Sequence, residues 1–325
     1  MAIINPYEGI HWGSIQHIPS CSHEHCENPG HFTNLIDGGL RHIALSNYHP
    51  SKPWYPLADY FSVPEGIIGS PNAEFYNMNI NNFHANGLGT FYEEPEPNEE
   101  HSWEYKFKRI LLNLQYTDGG GITLNHPAWT KAVGHDLTNQ DLIKMLDFDQ
   151  RVLGIEFFNA GTQGNTENMW DLDTWDFILK TGRRCWGFCV ADHDGQSNTP
   201  GYSWRGRNVL LLDSFTEHDC LKAYRNGQFY GSIYNTSLKF TDISLSGNSL
   251  FVTATDAEYI NFVVNGVTTK INGSTASISI PSGAIYARVE AHNSDNSIFS
   301  NPIIFRPFIK KDNTDAENLL LLFNL

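Results

Sequence analysis

The sequence predicts an α/β protein, a sheet or barrel of alternating strands and helices, followed by a small antiparallel β-sandwich. Three observations support this fold class. Short apolar runs alternate with helix-like segments up to about residue 235, and β-branched runs separated by turn residues follow from about residue 236. All eight Trp, all five Cys and thirteen of the fourteen His lie in the first part. We therefore divide the chain into two predicted domains, residues 1–235 and 236–325.

In the first part, the apolar runs end in groups of polar residues. The runs are HIALSNYH, GGGITLNHP, RVLGIEFFNAG and CWGFCVADHDG, and the helix-like segments are HSWEYKFKRILLNLQY, TNQDLIKMLDF and MWDLDTWDFILKTG. Buried parallel strands read as continuous apolar runs, and strand–helix alternation builds a parallel sheet or a barrel. In a barrel, the functional residues follow the carboxyl ends of the strands. The polar groups occupy that position, so they are the candidates for a functional site.

The second part has the pattern of an antiparallel β-sandwich. Its strand-like runs are interrupted by Ser-Gly-Asn, Asn-Gly and Pro-Ser-Gly, at a spacing of roughly 8–12 residues. In AIYARVEA, polar and apolar residues alternate, as they do in a strand with one buried face. This part contains no cluster of chemically useful side chains, so we expect it to supply no metal ligand.

The composition indicates a globular protein and excludes some partners. Hydrophobic residues make up 40% and charged residues 18%, and the net charge is −15 without any basic run. Nucleic-acid binding needs clusters of Lys and Arg, so we expect no nucleic acid as partner. We also expect no membrane contact, because no apolar run reaches the ~18–20 residues of a membrane helix. The absence of a signal-peptide pattern predicts a cytoplasmic protein with reduced thiols.

The polar residues at the strand ends are the types that bind transition metals. Imidazole nitrogens and carboxylate oxygens are ligands for Zn²⁺, Mn²⁺ and Fe²⁺. Too many are present for one ion, so they suit two or three divalent ions that share bridging carboxylates. The candidate ligands are His23, His25, His31, His49, Glu74, His84, His126, Asp192, His193 and Asp194.

Three alternatives use the same regions differently. Cys21 or Cys26 beside His23 or His25 would form a nucleophilic Cys–His pair. Cys185 and Cys189, with three residues between them, would contribute to a structural zinc site. Aromatic residues in the strand-end loops would form a sugar-binding surface or the wall of a substrate pocket; they are Trp54, Tyr55, Trp129 and Trp204.

The order of these motifs resembles the polymerase and histidinol phosphatase (PHP) family. His23-Glu24-His25 is similar to the His-x-His of its first strand, and His31 stands where some members have a further ligand. Glu74 is similar to the bridging glutamate of the family, and Asp192 to the closing Asp-x-His. The remaining matches are His49 after the second strand, His84 about ten residues beyond Glu74, and His126 in LNHP.

The resemblance covers roughly residues 10–235 and implies a fold and an activity. It implies a distorted (β/α)7 TIM-like barrel, with the β-sandwich that stand-alone members often carry. It also implies a di- or trinuclear metal centre that hydrolyses a small phosphorylated metabolite or nucleotide through a metal-activated hydroxide. We expect Glu74, Asp192 and His193 to be catalytic, and Arg205, Arg207 and Lys52 to bind the phosphate, because cationic side chains hold phosphate oxygens.

The chain departs from the family pattern at three positions. Asn47 and Tyr48 stand where the family has Asp and His, and Asp194 stands where the closing His is usual. Oxygen ligands favour Mn²⁺ over Zn²⁺, so we expect phosphomonoesterase activity that is higher with Mn²⁺ and a metal preference that Asp194→His changes. The alternatives are another metal-dependent hydrolase that cleaves an amide or a lactone, and a metal-binding barrel without phosphatase activity that binds a glycan or a protein.

Overall fold

The computed structural model describes residues 2–48, 50–76, 78–80, 83–94, 101–132, 137–162, 169–196 and 204–308. The first part contains ten strands, β1 (Gln16–Cys21), β2 (His42–Ile43), β3 (Ile68–Gly69), β4 (Glu74–Phe75), β5 (Ala85–Leu88), β6 (Gly121–Leu124), β7 (Val152–Asn159), β8 (Trp186–Val190), β9 (Arg207–Leu212) and β10 (Phe229–Ser232). The second part contains eight, β11 (Lys239–Ser246), β12 (Ser249–Thr255), β13 (Tyr259–Val264), β14 (Val267–Asn272), β15 (Thr275–Ser279), β16 (Tyr286–His292), β17 (Ser297–Ser300) and β18 (Ile303–Ile304).

Among the described residues, six α-helices lie between the strands of the first part: α1 (Pro29–Asp37), α2 (Trp103–Leu112), α3 (Pro127–Ala132), α4 (Asn139–Leu146), α5 (Leu172–Leu179) and α6 (Glu217–Asn226). Most of these helices begin at a residue whose side chain accepts a hydrogen bond from a backbone N–H group. Thr138 and Asp141 form a capping box on α4, and Ser102 and Thr216 cap α2 and α6. None of the described helices is long and apolar enough to cross a membrane.

Two sheets build the first part. Strands β4 to β8 form one five-stranded sheet in chain order, in which β6, β7 and β8 are parallel and β5 is antiparallel to both of its neighbours. Strands β3, β2 and β1 are parallel and continue through the antiparallel β9 and β10. The described residues contain six helices, and β5 runs against its neighbours, so a regular (β/α)7 barrel is not shown.

Backbone hydrogen bonds join both edges of the five-stranded sheet to the segments that follow β1 and β2 in the other sheet. On one side, the N–H of Glu74 donates to the carbonyl of Ser46 at 3.1 Å, which links β4 to the segment after β2. On the other side, the N–H of Asp192 donates to the carbonyl of His23 at 3.0 Å, which links the segment after β8 to the segment after β1. The ends of strands from both sheets therefore meet around one place.

The second part consists of two packed sheets, which agrees with the sandwich-like pattern of the sequence. Strands β11, β12 and β15 form one sheet, and β13, β14, β16 and β17 belong to the other. Their apolar side chains share a core that includes Phe240, Val252, Phe262 and Val289. The predicted boundary at residue 235 lies between β10 and β11, but the sheet crosses it, because β10 pairs with β17.

Candidate metal centre

Two groups of metal-ligating side chains lie next to each other at the strand ends. His23, His25 and Asp192 form one group, and Glu74, His84 and His126 form the other. Within each group the ligand atoms all lie within 4.8 Å of one another. All six residues are buried or nearly so, His84 being the most exposed, with 18% of its side chain accessible.

The topology of the sheets explains why these six residues meet. His23 and His25 follow β1, His126 follows β6 and Asp192 follows β8, so all four lie at carboxyl ends of parallel strands. His84 precedes β5, and because β5 is antiparallel to β6, its beginning lies beside the end of β6. The N–H of Asn125 donates to the carbonyl of His84 at 3.1 Å and fixes this neighbourhood.

Glu74 lies between the two groups and contacts members of both. Its Oε1 is 2.9 Å from Nδ1 of His84 and 3.4 Å from Nε2 of His126. The same oxygen is 3.4 Å from Nε2 of His23, and Oε2 is 3.2 Å from Nε2 of His25. One carboxylate therefore presents an oxygen to each group.

Backbone strain positions two of the ligands. His126 has φ 29° and Asp192 has φ 54°, a left-handed conformation that is unusual for residues other than glycine. The N–H of His126 donates to Oε2 of Glu156 at 2.8 Å, and the backbone of Asp192 is held by its bond to His23. The surrounding hydrogen bonds thus maintain both turns.

Glu156 and Asn159 lie at the end of the apolar run RVLGIEFFNAG and are not among the candidate ligands that the sequence predicts. Oε1 of Glu156 is 2.7 Å from Nδ1 of His23, so this carboxylate accepts from Nδ1–H and leaves Nε2 as the ligand atom. The amide nitrogen of Asn159 donates to Oε2 of Glu156 at 2.9 Å and to Oδ2 of Asp192 at 3.1 Å. Their position at the end of β7 is the sequence feature that could have identified them, because the predicted ligands also lie at strand ends.

The electrostatics of the groups fit divalent cations. Burial would lower the pKa of His23, but Asp192, Glu156 and Glu74 raise it well above its usual value. Burial also opposes the charge of Asp192, yet His23 and His25 lower the pKa of its carboxyl. Oδ1 of Asp192 is buried and makes no hydrogen bond, although it lies 3.0 Å from Nε2 of His25. Without metal, protons bind to the same nitrogen and oxygen atoms that would coordinate a cation.

A cavity of about 430 Å³ opens onto both groups. Four ligands contribute to its wall, Glu74, His84, His126 and Asp192. The rest of the lining is aromatic or polar: Tyr48, Trp129, Gly161, Thr162, His193 and Gln196. His193 has 36% of its side chain accessible, and its Nε2 is 3.5 Å from Oδ1 of Asp192. A small molecule in this cavity would contact the metal ligands directly.

Other predicted ligands have other partners. Both ring nitrogens of His31 face its own loop, with Nδ1 3.4 Å from the N–H of Glu27 and Nε2 3.2 Å from the amide of Asn28. Both oxygens of Asp194 contact Arg205, with Nη2 at 3.0 Å from Oδ1. Neither residue belongs to the two groups. His193, also a candidate, belongs to neither group, and His49 lies outside the described residues.

The predicted phosphate-binding cations do not line the cavity. Arg205 is engaged by Asp194, as described above. Arg207 is only 3% exposed, donates to the carbonyl of Gly38 and stacks on Trp204 at 3.9 Å. Lys52 is half-buried and does not line the cavity. The buried Trp204 is likewise no binding surface, whereas Trp129 belongs to the cavity wall.

The cysteines are packed as apolar residues. All five are free and buried. Burial raises the pKa of Cys26 to about 12 and that of Cys185 and Cys189 to about 12 as well, which disfavours the thiolate needed for nucleophilic attack or metal binding. The structure therefore argues against the Cys–His pair and the structural zinc site.

The side-chain amide of Asn47 makes two hydrogen bonds to the backbone. Its Oδ1 accepts from the N–H of Cys26 at 2.9 Å, and its Nδ2 donates to the carbonyl of Cys26 at 2.9 Å. A carboxylate has no donor for the second bond. The departure from the family pattern at this position thus fixes the loop that follows His25.

Comparisons with known proteins support the fold. No family model matches the chain, and no curated protein matches it. A solved structure is similar: a two-domain protein containing a predicted PHP-like metal-dependent phosphoesterase from Bacteroides vulgatus. The match has a TM-score of 0.50 and 11% sequence identity, and it covers 92% of this chain and 89% of that one. The likeness therefore extends over both parts of the molecule.

Proposed function

We propose that this protein is a metal-dependent phosphoesterase with a dinuclear centre on a distorted barrel. The observation that carries the proposal is the pair of ligand groups joined by Glu74. One ion would be held by His23, His25 and Asp192, the other by His84 and His126, with Glu74 shared. The hydrogen bonds that join both edges of the five-stranded sheet to the other sheet support the barrel, and the PHP-like neighbour supports the reaction class.

The residues of the chain would divide the work of hydrolysis. Bound divalent ions lower the pKa of water from about 15.7 towards ~7 and neutralise charge on the phosphoryl oxygens. Glu156 would accept from Nδ1–H of His23, which orients the ring so that Nε2 faces the metal position and raises the basicity of Nε2. His193 lines the cavity, and burial lowers the pKa of its ring, so near neutral pH it is able to accept a proton. Among the described titratable side chains that line the cavity outside the two ligand groups, His193 is the one whose pKa is lowered.

A metal analysis combined with an esterase assay tests this proposal. We expect more than one equivalent of transition metal in the purified protein and metal-dependent hydrolysis of para-nitrophenyl phosphate; the preference for Mn²⁺ over Zn²⁺ predicted from the sequence loses its basis, because Asp194 belongs to neither ligand group. His126→Ala is expected to lower metal content and hydrolysis, whereas His218→Ala, on the surface, leaves both unchanged. Less than half an equivalent in both proteins, after growth with added metals, would contradict the dinuclear centre.

A second function has one observation in its favour. Among the described residues, no Lys or Arg lines the cavity, so no side chain is placed to clamp a phosphate. An amide or lactone hydrolase needs no such cation. Turnover of amides or lactones by the metal-loaded protein, without turnover of any phosphoester, would favour this function.

A further inference from the structure

A groove of about 350 Å³ runs beside strand β11 of the second part and shares no described lining residue with the cavity at the metal centre. This β11 groove is lined by residues 242–245 of β11 and by side chains of the amino-terminal segment between Ile3 and Trp12. Successive side chains of a strand point to opposite faces of its sheet. A space that touches four consecutive residues therefore lies along the edge of β11 and not over one of its faces.

The edge of β11 that faces the groove has no strand partner among the described residues. Strand β11 pairs with β12 on its other side. In an antiparallel pair, alternate residues direct their N–H and C=O groups to the partner strand, and the residues between them direct these groups away. Two of residues 242–245 therefore point backbone groups into the groove, and the described backbone hydrogen bonds outside strands and helices use none of them. An added strand would pair these groups.

The side chains along the β11 groove are largely apolar and partly accessible. Ile3 is 42% exposed, and Trp12 and Leu245 are half-buried. The hydroxyl of Ser244 donates to Oδ2 of Asp242 at 2.9 Å, so these two polar side chains bind each other. Peptides that add to a sheet edge use backbone hydrogen bonds along the edge and place alternate side chains in pockets. The β11 groove therefore suits an extended segment with apolar side chains.

The part of the sequence after Phe308 lies outside the described residues and contains an apolar run. Residues 319–325 read LLLLFNL and carry no charged side chain. Two carboxylates line the groove, those of Glu8 and Asp242, and none of its lining residues is Lys or Arg. An acidic segment is repelled by these carboxylates, whereas the uncharged run is not.

The run is within reach of the groove. Ile304 pairs with Ile4, the neighbour of Ile3 in the groove wall. Phe308, the last described residue, follows Ile304 by four residues, so their Cα atoms are at most about 15 Å apart. Residues 309–318 are able to span roughly 33 Å between Phe308 and the run. This span exceeds the distance back to Ile304, so the chain is long enough to bring the run to β11.

We propose that the β11 groove binds residues 319–325 of the same chain, which pair with the free edge of β11 and place apolar side chains against Ile3, Ile10 and Trp12. This inference is independent of the proposed phosphoesterase function. Removing Leu and Phe side chains from water drives the binding. A short tether gives the run an effective concentration in the millimolar range, which favours the chain's own run over the same run of a second copy.

Hydrogen exchange of the full chain tests the proposal. We expect the groove-facing amides of residues 242–245 to be protected in the wild type and to exchange at least about tenfold faster in Leu320→Asp/Leu322→Asp, because two carboxylates oppose burial of the run. The control, Asn313→Asp/Thr314→Asp, adds the same charge nearer to Phe308 and leaves the exchange unchanged. Equal exchange of these amides in the wild type and in Leu320→Asp/Leu322→Asp, with β6 still protected, overturns the proposal.

A peptide supplies the run separately. Residues 312–325 with the wild-type sequence, added in excess to Leu320→Asp/Leu322→Asp, are expected to restore the protection of residues 242–245. The same peptide carrying both Asp substitutions is expected to restore none. Equal effects of the two peptides overturn the proposal.

Dilution separates the chain's own run from that of a second copy. Protection that is unchanged over about a hundredfold dilution, in a protein that sediments as a monomer, supports binding within one chain. Protection that is lost on dilution, together with a dimer at high concentration, assigns the groove to the run of a second copy and overturns binding within one chain.

Discussion

Glu156 serves three partners with two oxygens. It accepts from His23, from the strained backbone of His126 and from Asn159, which in turn donates to Asp192. A single buried carboxylate thereby orients ligands of both groups. Partners of this kind set the orientation and the basicity of the residues that bind the metal.

Replacing Glu156 by Gln tests this role. A neutral amide offers one acceptor oxygen in place of two, so at least one of the three contacts is lost. We expect metal affinity to fall about 10- to 100-fold, as judged by competition with a chromophoric chelator. Glu104→Gln, on the exposed face of α2, is the control. Unchanged affinity in a folded Glu156→Gln protein would contradict the role.

Asp194→His gives a second prediction for a single side chain. The sequence predicts that this change shifts the metal preference, because it restores the family pattern. Since both oxygens of Asp194 contact Arg205, we expect the preference to stay the same and the stability to fall by about 1–3 kcal/mol. Metal titrations and thermal unfolding measure the two effects. Asp192→Asn is the contrasting variant, because it removes a ligand oxygen and is expected to lower metal content.

The ligand histidines predict opposite pH dependences with and without metal. Carboxylates raise the pKa of His23 and of His25 despite their burial. Without metal, their protonated forms stabilise the fold fully below the unfolded pKa of about 6.5, and this contribution is lost as pH rises through the raised folded values. With metal, protons compete for the same nitrogens, so stability rises over that range. Thermal unfolding with and without chelator measures both slopes; parallel slopes would contradict the prediction.

At the scale of elements, the sequence predicted three of the six described helices, α2, α4 and α5, and left α1, α3 and α6 and several strands, β5 among them, unassigned. The three helix-like segments contain α2, α4 and α5, because each has an apolar stripe and polar residues at its start. Strand β5 gives no such pattern, since it contains Asn86 and Gly87. Asn86 donates to the carbonyl of Ser22 and accepts from Asn125, and a Cβ on Gly87 would lie 2.6 Å from Thr90. These requirements come from neighbouring strands, which a local pattern does not contain.

An ion pair between α5 and β16 links the two parts of the chain. Arg288, only 3% exposed, donates to both oxygens of Asp176, with Nε at 2.8 Å from Oδ1. Arg288 also contacts Oε1 of Glu290 through Nη1 at 2.5 Å, so Asp176→Asn removes one of two partners, and we expect it to destabilise the protein by about 1–3 kcal/mol. Asp173→Asn, exposed on the same helix, is the control for denaturant unfolding. Equal stability of the two variants would contradict the importance of this pair.

At the scale of the whole molecule, one sheet runs through both parts. It passes from β3 through β1 and β9 to β10, then through β17 and β16 to β14. Phe299 of β17 packs against Phe157 of β7 at 5.1 Å. The sequence predicted the two parts from their different compositions, but pairing between distant strands leaves no trace in composition. This is why it missed the continuity of the sheet.

A truncation after Ile233 tests the dependence of the first part on the second. It exposes the edge of β10 and the apolar surface under Phe299, and exposed edges promote aggregation. We expect an insoluble or unfolded product, measured by sedimentation and circular dichroism. A soluble, folded fragment would show that the first part is autonomous, and its metal content would then show whether the second part supplies any ligand.

The spread of the ligands along the chain has a consequence for biosynthesis. They run from His23 to Asp192, and β10 finds its partner only when Ser297–Ser300 has left the ribosome. When only the first strands of a nascent chain have emerged from the ribosome, the chain contains at most isolated ligand histidines, which bind ions weakly. In the proposed metal centre both sets of ligands are present only after Asp192 has been synthesised, so the identity of the metal would depend on the free ions that surround the nearly finished polypeptide.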